Sequence, residues 1–170
     1  MMKLDMSLRP LRLAATAAVA ALALNPHAAE AGSSTTTFNV TVTITSQCLV
    51  SNASTLAFGS SGLLSAAVNA SSTFSVTCTN TTPYTVALGN GSNASGTQRR
   101  MLGGVTDTEY VSYNLYSNST MTTAWGNGVT VSGTGNGTAQ TLTVYGQIPA
   151  QNTPSPGTNY TDSVTITVSY

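Results

Sequence analysis

Residues Thr36–Ser46 read TTFNVTVTITS. Phe38, Val40, Val42 and Ile44 fall on every second position, and Asn39, Thr41, Thr43 and Thr45 fall between them. Successive side chains on a strand point to opposite faces, so the spacing predicts a strand with one apolar face and one hydroxyl-rich face. Most of its residues are β-branched, which favours the extended chain over helix. Nothing ahead of it can pair with it as a hairpin. A strand of this quality needs a sheet edge, in its own domain or in another molecule's, and which of the two it uses decides the function.

The residues before it read as an export signal. Lys3, Arg9 and Arg12 make a positive start, Leu13–Leu24 an apolar core, and Ala29-Glu30-Ala31 a small-x-small cleavage site. The apolar run is about a dozen residues, short of the roughly 20 that span a bilayer. Residues 1–31 are therefore expected to be a secretory signal peptide, 32–46 a separate N-terminal strand segment, and 47–170 one domain.

Beyond residue 31 the charged residues are Arg99, Arg100, Asp107, Glu109 and Asp162, with no lysine and no histidine. Two arginines cannot make the basic footprint that nucleic acid requires, so nucleic acid is not expected as a partner. There is no Ser-His-Asp set and no histidine-containing metal site, so neither an enzyme nor a bound metal or cofactor is expected. So little charge would ordinarily suggest poor solubility or assembly into something larger; here Ser, Thr, Asn and Gly supply the polar surface instead. Cys48 and Cys78 are read as one disulfide formed in an oxidising compartment. Free reactive thiols would need an activating histidine or lysine, and the segment has neither.

Downstream of Cys48 the chain is a series of short β-type runs cut by turn chemistry. Strands are expected at Thr55–Phe58, Ser72–Cys78, Tyr84–Leu88, Arg100–Leu102, Glu109–Tyr116, Val129–Ser132, Thr138–Ile148 and Tyr160–Tyr170. Gly89-Asn90-Gly91-Ser92 and Gly133–Gly137 are turns, and Pro149–Gly157 is a loop. Many short strands without helical periodicity predict an all-β antiparallel sandwich. In the last run Val164, Ile166, Val168 and Tyr170 share the apolar face, so the chain is expected to stop inside a sheet. That leaves an unpaired edge and a groove open to the core, while a spare strand sits at the other end. Filling its own groove would close a monomer; filling a neighbour's would build a head-to-tail fibre.

Pieces in order along the chain carry a family resemblance. They are the alternating strand before Cys48, LAFG at Leu56–Gly59, SVTC at Ser75–Cys78, and PYTVALGNG at Pro83–Gly91. Arg100-Met101-Leu102, YNLY at Tyr113–Tyr116, WGNG at Trp125–Gly128, VYGQIPAQ at Val144–Gln151 and GTNYTDSVTITVSY at Gly157–Tyr170 follow. The chain resembles subunits of archaic chaperone–usher pili, the group sharing the spore coat protein U domain. The resemblance implies an incomplete immunoglobulin-like β-sandwich that lacks its final strand and is completed by donor-strand complementation. It implies Phe38, Val40, Val42 and Ile44 as donor residues inserted into a neighbouring subunit. Val164, Ile166, Val168 and Tyr170 would line the last strand beside the acceptor groove, with the Tyr170 carboxylate as an anchor for basic residues of a chaperone. Cys48 and Cys78 would join the first two strands. The implied partners are identical or homologous pilin subunits, a periplasmic chaperone and an outer-membrane usher. The implied location is an extracellular, cell-surface pilus serving adhesion and biofilm formation.

Other readings attach to particular residues. A closed sandwich could bind carbohydrate through Trp125 beside Tyr110, Tyr113 and Tyr116, although such residues more often pack the core. A minor or adaptor subunit of the same pilus is the narrower rival. Asp107 and Glu109 share one strand face as a carboxylate pair would, and are read as a solvated pair beside a turn rather than a glycosidase site.

Overall fold

The computed structural model describes residues 31–157 and 160–170. The expected signal peptide at 1–31 lies outside them except for Ala31. The chain divides into two units, Met1–Thr41 and Val42–Tyr170. The described part of the first, residues 31–41, contains neither helix nor strand.

The second unit carries the strands. They are β1 (Cys48–Ser51), β2 (Val68–Cys78), β3 (Pro83–Leu88), β4 (Arg99–Gly103), β5 (Glu109–Tyr116), β6 (Val131–Thr134), β7 (Ala139–Ile148) and β8 (Ile166–Ser169). One sheet has the order β1-β2-β7-β5-β4 and the other β6-β3-β8. Every pairing is antiparallel. The fold is thus all-β and two-layered, as the alternation requires.

The period of two places the core. Phe74, Val76 and Cys78 of β2, Val111, Tyr113 and Leu115 of β5, and Val144 and Ile148 of β7 are buried from one sheet. Tyr84, Val86 and Leu88 of β3 meet them from the other. Trp125 lies between the layers with its ring 5.9 Å from Phe74. Its backbone N–H donates to Leu115 O (2.8 Å) and its Nε1 to Val86 O (3.0 Å), so one residue ties β5 to β3. A surface platform at Trp125 is therefore excluded: the ring is 1% exposed.

Four expectations are corrected. The run Thr55–Phe58 forms no strand; Leu56 and Phe58 are half-buried and cover Gly146, where a Cβ would lie 2.8 Å from the Leu56 methyls. β1, the first strand that the resemblance implied without bounds, is Cys48–Ser51 with register Cys48↔Cys78, whereas β6 runs over Val131–Thr134 and not Val129–Ser132, because Gly133 and Thr134 pair with Tyr84 and Pro83 instead of turning. β2 starts at Val68, four residues before the expected Ser72, because polar Asn69–Ser71 pair with Tyr145–Gln147. β8 starts at Ile166, and the residues ahead of it make single bonds with Gly89 and Ser92 and an isolated two-bond bridge with Leu102 instead of a continuous ladder.

The expected disulfide is formed between Cys48 and Cys78, thirty residues apart. It fastens edge strand β1, which has four residues and one neighbour. Replacing both cysteines with alanine is expected to lower unfolding stability by about 3–4 kcal/mol on the chain-entropy scale. Urea unfolding of the double variant beside the oxidised and reduced parent checks this, and the variant should match the reduced parent.

Candidate functional site: an open sheet edge beside an apolar cleft

The edge of β8 follows from parity. Gly89 N donates to Thr165 O (2.9 Å) and Ser92 N to Ser163 O (3.1 Å). β8 continues this register along β3, with Thr167 opposite Ala87 and Ser169 opposite Thr85. Main-chain groups alternate sides along a strand, so the odd-numbered residues bond toward β3. The N–H and C=O groups of Val164, Ile166 and Val168 point to the other edge. Among the described residues no strand pairs with that edge. Their side chains alternate too: Val164, Ile166 and Val168 are half-buried, whereas Thr165, Thr167 and Ser169 are exposed. Tyr170 is 60% exposed and leaves the pattern one residue after the strand.

An apolar cleft opens beside this edge. A cavity of about 360 Å³ lies between the sheets, walled by Phe74, Leu115 and Val144 on one side and by Leu88, Val164 and Ile166 on the other. A second volume of about 680 Å³ continues toward the Gly59–Gly62 and Pro154–Gly157 loops. Leu56, Phe58, Met101 and Tyr160 belong to both walls. Val168 and Tyr170 do not line either volume.

One end of the cleft is polar and fully bonded. The Tyr113 hydroxyl donates to Asp162 Oδ2 (2.6 Å), and Asn93 N, Asn93 Nδ2 and Ser163 N donate to Oδ1 at 3.1, 3.3 and 2.9 Å. Burial, with the Asp162 carboxylate, pushes the Tyr113 phenol well up, so it stays a protonated donor. Beneath it Arg99, 5% exposed, donates through Nε and Nη2 to Gly89 O (2.9 and 2.6 Å) and through Nη2 to Leu88 O (3.1 Å). Burial draws the guanidinium below its ordinary pKa, while Tyr113 and Asp162 oppose that pull. Two glycines make room. A Cβ on Gly91 (φ +88°) would fall 1.9 Å from Asp162 Oδ2, and one on Gly126 (φ +126°) 2.1 Å from Arg99 Nη2. Sequence reasoning missed this cluster; its signal was a lone acid, Asp162, inside a run of threonines and valines.

The remaining candidates fall elsewhere. Phe38 and Val40 are 84% and 83% exposed, and Val42 and Ile44 are 82% and 72% exposed. No ladder pairs any of the four. Tyr110 is exposed, with the Arg100 guanidinium 3.9 Å above its ring. Glu109 is not simply solvated: the Ser155 N–H donates to its carboxylate, as does Tyr160 Oη (3.0 Å). These bonds, the Ser155 hydroxyl foremost, hold its carboxyl below the ordinary carboxylate range, and they pin the Pro154–Gly157 loop to the cleft wall. Asp107 sits in the preceding turn at φ +53°.

Comparison with known proteins gives three findings. The Spore Coat Protein U domain matches residues 34–167. Protein U of Myxococcus xanthus is 34% identical over 178 residues, covering 92% of this chain and 95% of its own. A solved structure is similar at a TM-score of 0.55 and 29% identity: the CsuC-CsuE chaperone-tip adhesion subunit pre-assembly complex from archaic chaperone-usher Csu pili of Acinetobacter baumannii. That match covers 75% of this chain and spans 40% of the length of the matched one.

Two measurements test the polar contacts. Tyr113→Phe keeps the ring and removes one bond to a charged acceptor, and is expected to cost about 1.5–3 kcal/mol in urea unfolding. Glu109 carries a folded pKa below its ordinary 4.5, so its contribution is complete above 4.5 and is lost as pH falls below it. In paired thermal melts, Glu109→Gln should be less stable than the parent at neutral pH. The gap should close on acidification through and below 4.5.

Proposed function

The chain belongs to the Spore Coat Protein U domain family, and from that membership we propose that it is a structural subunit of an extracellular chaperone–usher pilus. Its subunits join head to tail: Phe38, Val40, Val42 and Ile44 of one enter the cleft of the next and pair with the free edge of β8. The observation that carries this reading is the coexistence of an unpaired, alternating apolar segment with an unpaired edge over an apolar cleft. Each feature alone is a liability, and each is the kind of surface that would relieve the other.

The energetics favour such a joint. Burying the four apolar side chains contributes about 1.5–3 kcal/mol each, roughly 6–12 kcal/mol gross before ordering costs. Main-chain bonds to Val164, Ile166 and Val168 add the ladder that the edge lacks. Because the sandwich is unfinished without the strand, binding and folding are coupled, and a filled joint separates slowly.

The proposed joint implies its partners. An unfilled subunit needs protection during export, which is the role of a periplasmic chaperone lending a strand to the cleft. An outer-membrane usher then exchanges that strand for a subunit's. Residues 32–46 act as the donor segment and 47–170 as the acceptor domain. The fibre serves surface attachment and biofilm formation.

Deleting Gly32–Thr45 is expected to abolish fibres in electron micrographs while leaving a domain that accepts a synthetic Thr36–Ser46 peptide. Val42→Asp places a charge in the apolar joint and should abolish the ladder of species that resists SDS until strong heating. Fibres from the deleted protein, equal to those of the full mature chain, would sink the proposal.

A further inference from the structure

Beyond residue 31 the sequence contains two methionines, Met101 and Met121, and both cysteines are consumed in the disulfide. These two thioethers are therefore the sulfur sites open to peroxide; both are half-buried, and they differ in what they line. Met101 is in the middle of β4, paired with buried Val111 and flanked on the same face by buried Arg99 and Gly103. It is half-buried and lines both volumes of the cleft, together with Tyr160. Met121 lies in the Asn118–Thr123 turn with its Sδ 3.3 Å from Gln147 Nε2, and lines neither volume.

We propose that Met101 is an oxidation site that controls whether the cleft can be filled. The inference rests on reading the cleft as the acceptor of an apolar strand. In an unfilled subunit the thioether is reachable from the cleft; in a filled one the inserted strand shields it. A lone pair of Met101 Sδ attacks one oxygen of a hydrogen peroxide molecule, the O–O bond breaks, and the departing hydroxide takes the remaining proton to leave as water. The sulfur is oxidised by two electrons and the peroxide reduced by two. The sulfoxide converts a polarisable apolar wall into a strong dipole at a place the strand must cover with Phe or Val. Nothing on the apolar face of Thr36–Ser46 donates a hydrogen bond to it, so its burial is penalised. Oxidation thereby marks subunits that met oxidant while unfilled and removes them from assembly, while joints already made are spared.

Non-polymerised protein is treated with hydrogen peroxide, with and without saturating Thr36–Ser46 peptide, and both methionines are followed by peptide mass spectrometry. Met101 should oxidise several-fold more slowly when the peptide is bound, while Met121 keeps one rate. Protein oxidised at both sites should bind fluorescent peptide about tenfold or more weakly. Peroxide should leave the peptide affinity of Met101→Leu at whatever value it has before treatment, and Met121→Leu should lose binding on oxidation as the parent does. Equal Met101 rates in the two states, or unchanged peptide affinity after oxidation, overturn the proposal. If the unoxidised protein does not bind the peptide at all, the strand-filling reading fails first and this inference with it.

Discussion

The fold depends on the parity of one strand. Along residues 163–169 the odd positions give their main-chain groups to β3 and their side chains to solvent. The even positions give their side chains to the core and their main-chain groups to an edge without a strand. A shift of one residue would reverse both assignments and expose Val164, Ile166 and Val168. The register is therefore fixed by burial on one face, and the direction of the free hydrogen-bonding edge follows without further choice. The cleft is the second consequence: a sandwich with five strands in one layer and three in the other leaves apolar walls uncovered where the smaller layer ends.

The Arg99–Tyr113–Asp162 cluster limits how far that opening extends. A buried guanidinium and a carboxylate facing the cleft would be expensive if their hydrogen bonds were incomplete. Here Arg99 satisfies two carbonyls at the end of β3, and Asp162 collects four donors. No buried side-chain polar atom among the described residues lacks a partner. The cluster thus joins β4, β5 and the approach to β8 at one end, so the sheets are held there while the opposite stretch of β8 stays free. On the proposed reading, an incoming strand would meet a shaped cleft.

Much of this was legible from period alone. β3, β5 and β7 follow their alternating residues almost to the residue, because each has one face buried. The disulfide followed from two cysteines in an exported chain. Other features depend on neighbours that a linear reading does not contain. Thr55–Phe58 alternates like a strand, but its pattern records Leu56 and Phe58 facing Gly146, and no hydrogen-bonded partner accompanies it. β1 has no pattern of its own; its place comes from the Cys48–Cys78 register. Trp125 in a glycine-rich loop looks like a surface aromatic, and only the Val86 carbonyl and the Phe74 ring reveal it as a core residue. Asp162 was hidden among threonines, since its four donors come from three separated places in the chain.

The exposed state of Thr36–Ser46 has its own physical logic. Four apolar side chains in water are a hazard, yet the residues between them are Asn and Thr, so no two apolar groups are adjacent in sequence. β-branching narrows the conformations open to the free segment toward the extended one. A segment that already favours extension loses less entropy on pairing than a flexible chain would. The hydroxyl face also suits either state, because threonine is at home on the solvent side of a strand and hydrates well when the strand is free. With almost no charge in the segment, nothing must be desolvated in expensive form when it is buried. The scarcity of charge that argues against a nucleic-acid partner would, on the proposed reading, also let this apolar strand leave water at low cost.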